Sequence, residues 1–76
     1  MKIGNVTGEV STGRKAECME TARILLVEME GSCVAALDRA GAKTGDHVLV
    51  VMGHAASRYS MDTPADAVIT AVIRAD

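Results

Sequence analysis

Ile24-Leu25-Leu26-Val27-Glu28-Met29, Glu30-Gly31-Ser32 and Cys33-Val34-Ala35-Ala36-Leu37 follow one another in the middle of the chain, and their reading decides the fold. Two apolar runs of strand length flank a connection long enough only for a hairpin. Working outward, Val48-Leu49-Val50-Val51-Met52 and Ala67 to Ile73 have the same character. At the start, Lys2 to Ser11 alternates, with Gly4, Val6, Gly8 and Val10 on one side and Asn5, Thr7 and Glu9 on the other. That period of two is a half-buried strand, and its glycines predict tight curvature or close approach of another part of the chain. Five short strands separated by turn signals predict a small all-β barrel or sandwich. Thr12 to Ala22 reads as a long polar loop. Ala55 to Ser60 reads as one short helical turn after the fourth strand, with Pro64 ending it.

The chain has 76 residues, so 1–76 is a single domain. Hydrophobic residues make up 49%, and Tyr59 is the only aromatic. Chains below about 70–80 residues rarely gain more than about 3–5 kcal/mol from one core. Two cysteines, Cys18 and Cys33, do not make a disulfide framework and fit a reducing compartment. Oligomerisation is the remaining source of stability. The sequence supports it, because Ile24–Val27 and Val48–Met52 are apolar on both faces and the chain leaves no room for the helices that would cover the second face. A closed barrel would leave outward Leu, Val and Ile wet, which marks an interface. The competing expectation is a flattened barrel whose own loops cover those strands.

Composition excludes several roles. A net charge of −2 and one aromatic do not suit nucleic-acid binding by phosphate contacts and base stacking. No apolar run reaches the roughly 20 residues of a membrane span. Met1-Lys2-Ile3-Gly4-Asn5 has no apolar signal core, which predicts a cytoplasmic chain and makes the Asn5-Val6-Thr7 sequon a chance match. Gly41-Ala42-Lys43-Thr44-Gly45 lacks the Gly-Lys order of a phosphate loop and leads into a strand, so it reads as a glycine turn. His47 and His54 show no zinc spacing with the cysteines. Ser57 has no nucleophile-elbow pattern around it. Arg58 follows small residues and suits a contact across a subunit boundary. His54, beside Gly53, would form a titratable ring if that loop faced the axis of an oligomer.

Taken in order, the segments resemble the EutN/CcmL family, the pentameric vertex proteins of bacterial microcompartment shells. Met1 to Val10 is similar to the family's opening strand with its Val-Thr-Gly-x-Val signature. Arg23 to Met29 resembles its basic-residue-plus-Leu-Leu-x-Val strand. Val34-Ala35-Ala36-Leu37-Asp38-Arg39-Ala40-Gly41-Ala42-Lys43-Thr44-Gly45-Asp46-His47-Val48-Leu49-Val50 resembles its Ala-Val-Asp-x-Val-Gly-Ala-Gly-x-Gly-Glu-x-Val-Leu stretch. Gly53 to Arg58 is similar to Gly-Ser-Ser-Ala-Arg, with the arginine one place late, and Lys43 replaces the second loop glycine. Pro64 to Ile69 resembles the Pro-Val-Asp-x-x-Val close.

The resemblance implies a five-stranded barrel related to the oligonucleotide-binding fold and assembled as a cyclic homopentamer. The implied role is a non-enzymatic, cofactor-free cap on the vertices of a polyhedral shell in the cytoplasm. The implied partners are further copies of the chain, with a hexamer as a second possible ring, and hexagonal shell proteins; neither nucleic acid nor membrane is expected. Candidate interface residues are Ile24, Leu26, Gly41, Ala42, Gly45, Val50 and Arg58. Gly53, His54 and Ala55 are a candidate axial pore loop. Two other readings make different predictions. A stand-alone oligomeric barrel that binds a small ligand or protein partner predicts a ligand at the barrel mouth. A small oligomeric enzyme predicts turnover lost on replacing His54 and Arg58 by alanine.

Overall fold

A computed structural model describes residues 1–11, 22–60 and 65–74. The loop expected over 12–22 lies almost wholly outside these residues, as do Cys18 and Pro64. Five strands form: β1 Lys2–Glu9, β2 Ile24–Met29, β3 Ser32–Asp38, β4 His47–Met52 and β5 Ala67–Ile73. A 3-10 turn, Gly53–Ala56, runs into one turn of helix, α1 Ser57–Ser60. The strands close into a barrel in the order β1-β2-β3-β5-β4. Each pairing is antiparallel except β3 with β5, which meet in parallel through Leu37–Val68 and Asp38–Ile69. Among the described residues, no helix is long and apolar enough to cross a membrane.

The β2–β3 hairpin forms as its sequence requires. Met29 pairs with Ser32, leaving Glu30-Gly31 as a two-residue turn. Both turn residues have positive φ, 51° and 80°. This is the primed-turn geometry whose twist matches that of paired strands. Gly41 and Gly45 also have positive φ, 72° and 94°, and the segment they bound leads into β4. It is a turn built on left-handed backbone positions, as its glycines predict.

The barrel interior is filled by Val6, Leu25, Val27, Met29, Ala36, Ala42, Val48, Val50, Ala67 and Ile69. No aromatic contributes, so the space is filled by Val, Leu and Ile side chains with three alanines and Met29. Gly4 is buried on β1, where a Cβ would lie 2.6 Å from Met29 Cγ, 3.0 Å from the Glu28 carbonyl oxygen and closer still to Val27 Cγ1. The expected close approach at a β1 glycine is therefore real at Gly4. Gly4→Ala should destabilise the barrel by about 1–3 kcal/mol through overpacking, read from its urea midpoint. A midpoint equal to the parent's would show that β2 yields freely there.

The alternation expected along β1 breaks at a register shift between Val6 and Gly8. Val6 faces inward opposite Val27, whereas Gly8 pairs with Leu26, which points outward. A bulge adds one residue and reverses which face the next one takes. Gly8 therefore does not share the inner face with Gly4 and Val6.

The outer faces of the strands divide in two ways. On the outside of β3 and β5, Leu37 and Val68 are covered by Ala22 and Ala56 in a second small core. There the chain covers its own sheet, but on β3 and β5 and not on the strands Ile24–Val27 and Val48–Met52 for which such cover was the competing expectation. Elsewhere large apolar side chains stay exposed, namely Met1, Ile3, Leu26 and Tyr59.

Candidate functional site

Two features outside the core organise the surface. The first is built on Asp38, at the end of β3. Its side chain is only 2% exposed. Asp38 Oδ1 accepts the backbone N–H of Ala40 at 3.0 Å, and both carboxylate oxygens lie within 3.3 Å of the Ala42 nitrogen. An aspartate that accepts backbone N–H groups two and four residues ahead fixes a turn in place of a ladder. Pairing of Ile24 with Leu37 brings Arg23 alongside. Arg23 Nη1 donates to Asp38 Oδ2 at 2.7 Å and to the Ala42 carbonyl at 2.6 Å, and Nε donates to Glu9 Oε1 at 3.3 Å. Desolvation alone lowers the Arg23 pKa, but the hydrogen bonds and charges of Glu9 and Asp38 outweigh it and hold the guanidinium above its usual value. Gly45 N–H donates to the Val6 carbonyl at 2.8 Å, and Val6 N–H donates to the Asp46 carbonyl at 2.9 Å. The loop from 39 to 46 is thereby tied to β1 and β2 as well as to β3. At the opposite end of the hairpin, Lys2 Nζ donates to Glu30 Oε2 at 2.8 Å. That bond, followed by the Lys2 charge, lowers the Glu30 pKa.

The second feature is the segment after β4. Arg39 Nε donates to the Tyr59 carbonyl at 3.2 Å and Nη2 to the Ser60 carbonyl at 2.7 Å. A cation beside carbonyls at this end of the described turn complements their partial negative charge. Arg39 thus fixes α1 against the barrel. With Val51 and Met1, α1 and the preceding 3-10 turn frame a groove of about 360 Å³ lined by Met1, Val51, His54, Ala55, Arg58 and Tyr59.

The candidate residues separate by burial. Leu26 is exposed and Ile24 half-buried, both on β2; Gly41, Gly45 and Arg58 are exposed. Gly53, His54 and Ala55 are exposed together on the 3-10 turn, and two of them line the groove. Val50 and Ala42 are corrected. Each is 0% exposed within the single chain, so neither has surface left for a neighbour, and both belong to the barrel core. Sequence reasoning missed Ile3, Tyr59 and Arg39, whose places depend on contacts between segments distant in the chain. It quoted Arg23 and Asp38 without a role. The Asp-x-Ala-Gly-Ala spacing at 38–42 was the available signal, since it fits an aspartate-anchored turn.

These residues make a self-complete barrel with apolar side chains left outside it, which is the class of small domain that associates with copies of itself. The chain matches the family described as "Ethanolamine utilisation protein EutN/carboxysome" over residues 1–73 and belongs to that EutN/CcmL family. It is 30% identical, over 96% of its own length and 86% of the relative's, to the bacterial microcompartment shell vertex protein EutN of Escherichia coli strain K12. Among solved structures it resembles the pentameric shell protein MSM0273 from the RMM microcompartment, with 36% identity, a TM-score of 0.85 and coverage of 97% and 91% of the two chains. It also resembles the GrpN pentameric microcompartment shell protein from Rhodospirillum rubrum, with 26% identity, a TM-score of 0.85 and coverage of 99% and 95%.

Proposed function

We propose that this chain is a structural shell protein of a bacterial microcompartment and works as a ring of five copies that closes a shell vertex. The observation that carries the reading is the exposed apolar surface on a barrel whose core is already full, in a chain whose relatives are named shell vertex proteins. Such surface is costly to leave in water and marks association. The role is mechanical. Hexagonal tiles alone extend as a flat sheet, and a closed polyhedron needs five-fold positions. A head-to-tail interface that closes after five subunits supplies one. The polar rims of the ring are proposed to meet the hexagonal facet proteins. The exposed Gly53-His54-Ala55 rim is proposed to face the five-fold axis, where five His54 side chains would form a ring. A structure of the ring with His54 out of reach of the axis removes that part.

Native mass spectrometry of the full chain tests the assembly. The expected mass is five times that of one chain. A hexameric mass would change the ring number and displace the vertex role. A stable monomer at micromolar concentration would overturn the proposal and favour a stand-alone binding barrel.

A further inference from the structure

The strand order places the two uncovered apolar patches on opposite sides of the barrel. In the closed ring β1-β2-β3-β5-β4, the neighbours of β4 are β1 and β5, so the β2–β3 pair lies across from β4. On the β4 side, Ile3 of β1 pairs with Leu49, and Leu49 pairs with Ala71 of β5. Paired residues share a face, so these three form one outward row. Ile3 is 65% exposed. The row continues into the groove, because Val51 follows Leu49 by two residues and Met1 precedes Ile3 by two. Tyr59, 47% exposed, stands at its edge. On the β2–β3 side, Leu26 pairs with Ala35. Leu26 is 36% exposed and Ala35 is exposed. Across β1, Leu26 meets only Gly8, whose missing side chain leaves its flank open. The β2–β3 side is thus a low ridge, and the β4 side is a row with a groove at its end.

Charge follows the same division. Glu28 stands on β2 two residues beyond Leu26, is exposed, and has no ion pair among the described residues. Arg58 in the groove likewise has no carboxylate partner among the described residues. Exposed tyrosine, arginine and methionine around a groove are the residue types that anchor interfaces. An acidic ridge and a basic groove are complementary to each other and not to themselves.

The geometry points to a single heterologous contact. The ridge of Ile24, Leu26 and Ala35 on one copy docks on the Ile3–Leu49 row and on the Met1–Tyr59 side of the groove of the next copy, with Glu28 toward Arg58, which leaves the His54–Ala55 lip of the groove free for the axis. The inference rests on the proposed ring and assigns its two surfaces. Two opposed, unlike patches repeat head to tail and cannot form a two-fold dimer through one shared patch.

The test uses two full-length variants, Leu26→Glu to disable the ridge and Ile3→Glu to disable the row. Both side chains are exposed in the single chain, so each variant is expected to keep the parent's circular dichroism. Each alone should lose the ring and show no cross-linked dimer. Mixed in equal amounts and held by an amine cross-linker, they should give a one-to-one heterodimer and nothing larger, because one intact ridge and one intact row remain. A dimer of either variant alone would overturn the inference, since it would mean that like surfaces pair. So would a mixture without heterodimer while the parent chain forms its ring. Should Leu26→Glu fail to fold, Ala35→Arg takes its place, with the same outcomes expected. A parent chain that forms no ring defeats the proposed function itself, which separates the two failures.

Discussion

Val50→Glu should leave no folded chain to assemble. Val50 is fully buried in the barrel core, on β4 between Lys2 of β1 and Ile69 of β5. Its surroundings are aliphatic, with Val6, Val27, Val48 and Ile69 in the same cluster. A glutamate there is larger than the valine it replaces and has no partner for its charge. Keeping the charge costs several kcal/mol of desolvation, and neutralising it still leaves an unpaired buried polar group. Native domains are stable by about 5–15 kcal/mol in total, and a 76-residue barrel without disulfides sits toward the low end. One substitution therefore removes a large part of the margin. The expected result is loss of the cooperative thermal transition and of soluble protein. Leu26→Glu, at an exposed position on β2, should keep both and lose only assembly. A Val50→Glu chain that melts cooperatively near the parent's temperature would mean that β4 faces the other way.

That contrast shows what alternation alone can decide. β2 was legible because Glu28 breaks the apolar run on one face, and its end at Met29 coincides with the Glu30-Gly31 turn. β4 has no such break, since Val48, Leu49, Val50 and Val51 are all apolar. Which of its faces is interior depends on its neighbours. Gly4 opposite Val48 and the register shift between Leu49 and Val50 set it, and neither is a property of β4 itself. The cover over Leu37 and Val68 was equally hidden, because Ala56 reaches them only when Arg39 holds α1 to the barrel. Residues 12 or more apart in the chain make these contacts, and periodicity within one segment carries no record of them.

The Asp38 cluster has the same origin and gives the second large effect. Asp38→Ala should destabilise the chain by about 2–4 kcal/mol, the range for breaking a buried, hydrogen-bonded pair by removing one partner, with the lower end allowed because Arg23 is 40% exposed and can turn to water. Three donors lose an acceptor together: the Ala40 and Ala42 N–H groups and Arg23 Nη1. Ala42 is fully buried, so water cannot replace the carboxylate at its N–H without opening the loop. Opening it pulls on Gly45 and Asp46, whose backbone bonds to Val6 join the loop to β1. Asp38→Asn keeps one oxygen acceptor and loses the charge, so it should fall between the parent and the alanine variant. Urea unfolding gives the order, and amide exchange locates the effect, with faster exchange expected at Ala42, Gly45 and Val6 before the β2–β3 hairpin. If the alanine variant came within about 0.5 kcal/mol of the parent, the size of an ordinary surface substitution, Arg23 and the loop would be holding themselves. The carboxylate would then be a consequence of the turn and not its cause. The direction of that dependence also bears on assembly: Gly41 and Gly45 can meet a neighbour in a fixed shape only if something inside the chain fixes them, and Asp38 is the buried charge positioned to do it.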